Sequence, residues 1–360
     1  MNFKKSLLIA LLSVGIANTA FAETNSEKFD RAIQAIEQQN YSAAFPLFKQ
    51  LAEQGYAVAQ FSLGVMYEKG RGVTQSDKQA VYWFEKAAEQ GYAKAQFNLG
   101  VMYEKGRGVT QSDKQAVYWY EKAAEQGYAK AQFNLGLMYA NGEGVTQSDK
   151  QAVYWYKKAA EQGHAKAQFN LGIMYEDGKG VTQSDKQAVY WYKKAAEQGY
   201  ADAQSNLGVM YDKGRGVTQS DKQAVYWFEK AAEQGYADAQ FNLGVMYDTG
   251  RGVTQSDKQA VYWYKKAAEQ GYTIAQFNLG VMYNTGRGVT QSDKQAAYWF
   301  EKAAEQGYAD AQFNLGVMYY EGKGVRRDVS KAKQLFGQSC DNGSASGCKN
   351  YSILDKQGIH

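Results

Sequence analysis

Apolar positions recur along this chain at helical spacing, and the spacing itself recurs. From Ala57 to Tyr92, the residues Ala59, Leu63, Met66 and Tyr67 stand at i, i+4, i+7 and i+8, the stripe of one amphipathic helix. A first helix is therefore predicted over about 57–69, and Gly70 and Gly72 end it. Ser76 opens a second helix as a capping box, with Gln79 three residues on reaching back to the free amide. Ala80, Trp83, Phe84, Ala87 and Ala88 supply the buried stripe of this second helix. Gly91 stands where a left-handed residue stops it.

The pattern then repeats every 36 residues, in seven near-identical copies that begin at Ala57, Ala93, Ala129, Ala165, Ala201, Ala237 and Thr273. An eighth copy from Ala309 has drifted to Arg326, Arg327 and Asp328 in its second half but keeps Leu315, Gly316, Met318 and Tyr319. A period of this length marks an array in which each unit buries its apolar face only against its neighbours. The expected fold class is all-α, a solenoid of helix pairs. Every copy carries a glycine inside its first helix, Gly64 in the type copy, at a cost of about 1 kcal/mol against Ala. A neighbouring helix that leaves no room for a side chain would offset that cost. Ahead of the copies, 29–39 and 42–54 read as another helix pair, more polar over its surface, as a terminal unit has to be. The expected organisation is a signal peptide over 1–22, a capping pair over 23–56, seven repeats over 57–308, a degenerate eighth over 309–344, and a C-terminal cap and tail over 345–360.

The 37 Gly, 29 Tyr and single Pro reflect the repeated unit rather than a special chemistry, and the aromatics, spaced as helices require, read as core. Lys4 and Lys5, an apolar run over 7–16 and Ala20-Phe21-Ala22 have the form of a signal peptide cleaved after Ala22, which places the mature chain in the periplasm or outside the cell. The run is too short to span a bilayer, so no membrane insertion is expected. Setting Lys4 and Lys5 aside lowers the formal charge from +4 to +2, with acids and bases interleaved. Nucleic acid would require a concentrated basic face.

The run Ala-x-Ala-Gln-Phe-Asn-Leu-Gly-x-Met-Tyr, then Gly-x-Gly-Val, then Ala-x-x-Trp-Tyr-x-Lys-Ala-Ala-Glu-Gln-Gly-Tyr closely resembles the Sel-one-like repeat (SLR), a relative of the tetratricopeptide repeat, from Ala57 to about Gly343. The resemblance implies a right-handed superhelix of antiparallel helix pairs, a concave groove lined by first helices, and an exported, monomeric bacterial adaptor for a protein or peptide, with no cofactor. Aligned on the related motif, the groove positions are Val58, Phe61, Val65, Glu68 and Lys69. The place of Val58 becomes Lys94, Lys130, Lys166, Asp202, Asp238, Ile274 and Asp310, while those of Glu68 and Lys69 vary as widely. A groove running from lysine-bearing to aspartate-bearing copies would match a partner of opposite polarity. Exposed positions also drift where packing does not restrain them, and the loop site Arg71, which becomes Glu143 and Lys179, varies too.

Cys340 and Cys348, the two cysteines, lie eight apart about Asn342-Gly343, and in an exported chain such a pair is expected as a disulfide. The spacing also resembles the staples of cysteine-rich exported SLR proteins. No Cys-x-x-Cys supports a redox role. Past the expected cleavage site stand only His164 and His360, which leaves no Ser-His-Asp set and no His-rich metal site. Ser330-Lys331-Ala332-Lys333 has the Ser-x-x-Lys form of serine β-lactamases, and some cysteine-rich SLR proteins are described as acting on β-lactams, but Ser-Asp-Asn and Lys-Thr-Gly are absent. A non-catalytic binding role is expected. The alternatives are a β-lactam-binding or β-lactamase-like enzyme, or a periplasmic immunity protein that neutralises a toxin.

Overall fold

The computed structural model describes residues 24–359; the expected signal peptide over 1–22 and His360 lie outside them. Among the described residues there are nineteen helices and no strand. The chain divides into two compact units, one ending at Gln126 and the other beginning at Gly127. The first unit holds α1 (Asn25–Glu37), α2 (Tyr41–Glu53), α3 (Ala57–Lys69), α4 (Asp77–Glu89), α5 (Ala93–Lys105) and α6 (Asp113–Glu125). The second holds α7 (Ala129–Asn141), α8 (Asp149–Glu161), α9 (Ala165–Asp177), α10 (Asp185–Glu197), α11 (Ala201–Lys213), α12 (Asp221–Glu233), α13 (Ala237–Thr249), α14 (Asp257–Glu269), α15 (Thr273–Thr285), α16 (Asp293–Glu305), α17 (Ala309–Glu321), α18 (Val329–Asp341) and α19 (Ala345–Lys356). In each unit every helix packs on the next, and so each forms an all-helical solenoid.

Ala59, Leu63 and Met66 are buried as the stripe requires. A Cβ added to Gly64 would lie 2.6 Å from the Phe84 ring, so the mid-helix glycine is what lets α3 and α4 touch. Gly70 ends α3 in the left-handed region. The second loop glycine does more than stop a helix. At Gly108, with φ of 71°, a Cβ would come within 2.5 Å of the Asp77 carbonyl carbon, so the loop of one repeat lies directly on the start of the preceding second helix.

Two capping expectations change. Ser76 does cap α4, its hydroxyl accepting from the Gln79 amide at 3.3 Å. The Ser76 amide, however, donates to the Tyr67 carbonyl at 3.0 Å, and this leaves Gln79 no amide to reach. A complete capping box occurs instead at Thr24 and Glu27, and α1 accordingly starts at Asn25, four residues before the expected boundary.

Between repeats runs a row of buried glutamines. Gln60 donates from Nε2 to the Ala52 carbonyl at 3.1 Å, across the joint, and accepts from Gln90 of its own repeat at 2.7 Å. Gln168 and Gln204 repeat the arrangement. At the C-terminal end a Cys340–Cys348 disulfide, with Cα atoms 4.4 Å apart, ties the end of α18 to the start of α19.

The aromatics are not all core. Phe84, Tyr120, Tyr192 and Phe228 are fully buried, whereas Tyr82, Tyr118, Tyr154, Tyr190, Tyr226, Tyr262 and Tyr298 are 46–50% exposed. Three successive aromatics such as Tyr82-Trp83-Phe84 cover about 200° of a helix, more than its neighbours enclose, and the first of the three turns outward.

Candidate functional site

The second residue of each first helix forms the row that begins at Val58. Lys94, Lys130, Lys166, Asp238 and Asp310 are exposed on it, while Val58 and Asp202 are half-buried. The whole change of sign falls within the second unit, from Lys130 and Lys166 to Asp202, Asp238 and Asp310. At the acidic end, burial first and the neighbouring carboxylate next raise the phenols of Tyr200 and Tyr236, beside Asp202, and of Tyr272, beside Asp238. Burial, with Asp202 next, pushes the Tyr236 phenol up to about 12. The Phe169–Tyr200 ring contact, with centroids 5.2 Å apart, has a counterpart at Phe241–Tyr272, but buried Ser205 stands where Tyr236 would meet a phenylalanine. At the basic end His164 takes the place of the linker tyrosine. It stacks on Phe133 at 4.8 Å, and its Nδ1 accepts from the Ala167 amide at 3.3 Å. Burial, then Lys166 and Lys130, hold its pKa below 6.5.

The row that begins at Glu68 serves the fold. Arg107, carried on the loop of the next repeat, donates to Glu68 at 3.0 Å and to Asp77 at 2.8 Å. Arg215 clamps Glu176 and Asp185 at 2.8 and 2.9 Å, Arg251 clamps Asp212 and Asp221, and Arg287 clamps Asp248 and Asp257. The close approach at Gly108 sets the geometry, since it lays the loop on the Asp77 backbone. Tyr120 and Tyr192 add hydroxyl donors to Glu104 and Glu176, each at 2.5 Å. Glu68 thus has its partners within the fold, its side chain only 14% exposed.

Sequence reasoning missed these arginines and grouped the site of Arg71 with positions that vary freely. The signal lies in a comparison of each loop cation with the residue 39 before it. At 68, 176, 212 and 248 that residue is Glu or Asp and the loop carries Arg, whereas Glu104 stands 39 before Glu143 and Ala32 stands 39 before Arg71. Where it is Ala140 or Asn284, the loop carries Lys179 or Lys323, which turn to Asp177 at 2.9 Å and Glu321 at 2.8 Å in their own repeats.

Lys69 and its equivalents end their helices in solvent and make local contacts, such as Lys69 to Glu68 at 3.4 Å and Lys213 to Asp212 at 3.2 Å. The structure therefore separates the three variable rows: one built into the joints, one at helix ends, and one, from Val58 to Asp310, facing outward. Lys333 of the Ser-x-x-Lys stretch has its partners within the fold. Its ammonium donates to Asp355 at 2.7 Å and to the Ile359 carbonyl at 2.5 Å, anchoring the C-terminal segment to α18.

Among the described residues no helix is long and apolar enough to cross a membrane. Comparison with curated proteins returns no match. Among solved structures, a Sel1 repeat protein from Oxalobacter formigenes is similar at 34% identity and a TM-score of 0.67, covering 95% of this chain and 98% of that one. A protective antigen present in uropathogenic Escherichia coli strains, displaying an SLR fold, is similar at 35% identity and a TM-score of 0.64, with 92% of this chain and 80% of that one covered. The Sel1 repeat model matches nine successive stretches, beginning with 34–56 and 57–92 and ending with 309–344. On that continuous match and on the shared fold, the chain belongs to the Sel1 repeat family.

Proposed function

We propose that the chain is an exported, non-catalytic scaffold that holds a protein or peptide along the outward row of the second unit, from Lys130 to Asp310. One observation carries this reading: in otherwise copied repeats, the row passes from exposed Lys130 and Lys166 to exposed Asp238 and Asp310. Lys130 and Lys166 suit an acidic stretch of the partner, and Asp202, Asp238 and Asp310 a basic one. Opposed charges of this kind contribute register and association rate more than raw affinity. The Cys340–Cys348 bond is in keeping with an oxidising compartment, as is the signal peptide expected over 1–22. The test is in-cell photocrosslinking from the place of Lys166, mass spectrometry of the trapped partner, and affinity measurement on purified proteins. The double change Lys130→Glu and Lys166→Glu is expected to weaken binding about tenfold or more at low salt. Unchanged affinity would overturn the reading.

A further inference from the structure

The outward tyrosines lie on second helices and have no part in the row just described. In α10, Lys186, Tyr190 and Lys194 stand at i, i+4 and i+8, one stripe of exposed side chains. The Tyr190 ring meets Trp191 edge-on at 4.9 Å, and Lys194 lies over it at 5.8 Å. Half of the tyrosine surface is left open. The same Lys-x-x-x-Tyr-x-x-x-Lys triplet occurs unchanged in all five second helices from α8 to α16 of the second unit. Its tyrosines, from Tyr154 to Tyr298, are 46–50% exposed.

The fold does not require the triplet. In α18 the three places are Ser330, Gln334 and Gln338, yet α18 packs on α17 with Phe336 buried against Gly316 just as Tyr192 is against Gly172. The first second helix, α2, also lacks the triplet, with Pro46 at the tyrosine place. Neighbouring exposed sites have changed between copies: the residue after the third aromatic is Lys157 in α8, Lys193 in α10, Glu229 in α12 and Glu301 in α16. An exposed aromatic row of this extent, bordered by cations, has the character of a binding surface.

We propose that this face binds a linear acidic polysaccharide, with pyranose rings packed on the tyrosines and sugar carboxylates paired with the flanking lysines. The repetition favours this class of ligand. A face that presents one triplet at every step, about 10 Å apart for packed helices, fits a polymer that presents one chemical unit at every step, whereas the varying row at Val58 fits the aperiodic sequence of a peptide. The charge favours it too. Each triplet brings two lysines, but glutamates follow one turn on, and the lysine after Tyr156 pairs with one of them, Lys157 to Glu161 at 4.0 Å. Such a surface suits sparse carboxylates better than a dense polyphosphate. Single contacts of this kind are weak, and five in series on one chain add through effective concentration.

The experiment is calorimetric titration of the full chain with polygalacturonate, digalacturonate, neutral dextran and poly-glutamate. The expected result is binding of polygalacturonate that weakens in about 0.5 M salt, at least about a hundredfold tighter than digalacturonate, with dextran silent. Tyr190→Ser, Tyr226→Ser and Tyr262→Ser together are expected to cut the affinity at least about tenfold with an unchanged helical spectrum. The single change Tyr226→Ser serves if the triple variant unfolds. No binding of polygalacturonate overturns the proposal, as does binding indifferent to the tyrosines, which would be generic charge attraction. Poly-glutamate bound equally well through the same tyrosines overturns it in favour of an acidic protein. The Lys130→Glu, Lys166→Glu variant is expected to keep its hold on polygalacturonate, so the two faces succeed or fail separately.

Discussion

Two neighbouring joints of the second unit differ in how their loops are held. Where the repeat of 165–200 meets that of 201–236, Arg215 bridges Glu176 and Asp185. Where 129–164 meets 165–200, Ala140 offers no carboxylate and Lys179 turns to Asp177 in its own loop. Both joints keep the glutamine: Gln168 reaches the Ala160 carbonyl at 3.0 Å across one, and Gln204 reaches the Ala196 carbonyl at 3.1 Å across the other. The common parts are what stacking requires, and the arginine clamp is an addition that individual joints keep or lose.

The largest effect is expected inside the repeats, where the copies are alike. Gly172→Val and Gly208→Val would each drive a side chain into a ring 2.6 Å from the new Cβ, Tyr192 in one and Phe228 in the other. Each is expected to destabilise the chain by about 1–3 kcal/mol in urea unfolding. Equal losses would support a shared spine, and a loss confined to the clamped side would break the comparison. Arg215→Met comes next, at roughly 1 kcal/mol, because Arg215 is 38% exposed and its ion pairs are partly screened. Amide exchange in the loop that carries it is expected to rise toward that around Lys179, with the difference shrinking in about 1 M salt. The reverse change, Ala140→Glu with Lys179→Arg, is expected to protect the unclamped joint; no gain in protection would mean that the joint differs for some other reason.

The smallest effect concerns His164, which sits at the unclamped joint. It takes up a proton less readily folded than unfolded, since its pKa is held below 6.5 by burial and by Lys166 and Lys130. Its contribution to stability is complete above pH 6.5 and is lost as the pH falls through the folded value. Melting temperatures at neutral and mildly acidic pH are expected to differ more for the natural chain than for His164→Tyr, which restores the tyrosine of the other copies. Identical pH dependence in the two would remove His164 from the account.

Much of this architecture was legible in the sequence. The period, the helix stops and the reason for Gly64 follow from spacing and steric size, properties that a single copy already displays. The arginine clamps were hidden because they join residues 30 and 39 apart, and no local pattern shows a contact between copies. Comparing copies offset by one repeat exposes them, through the exchange of Arg for Lys where Ala140 and Asn284 replace the acid. The outward tyrosines were hidden for a different reason. A helical stripe tells which residues share a face, but among Tyr82, Trp83 and Phe84 the enclosing neighbours decide which ring is left outside.

The glutamine row has a consequence for how such a chain changes length. Each buried amide uses only a backbone carbonyl on the helix before it and a Gln on the helix after it, and both recur in nearly every copy. Any two internal copies can therefore meet with the same glutamine bonds, whatever becomes of the arginine clamp. A recombination that removes or inserts whole copies creates no new kind of interface, and the number of repeats is free to vary while each surviving copy keeps its own side chains on the outer faces.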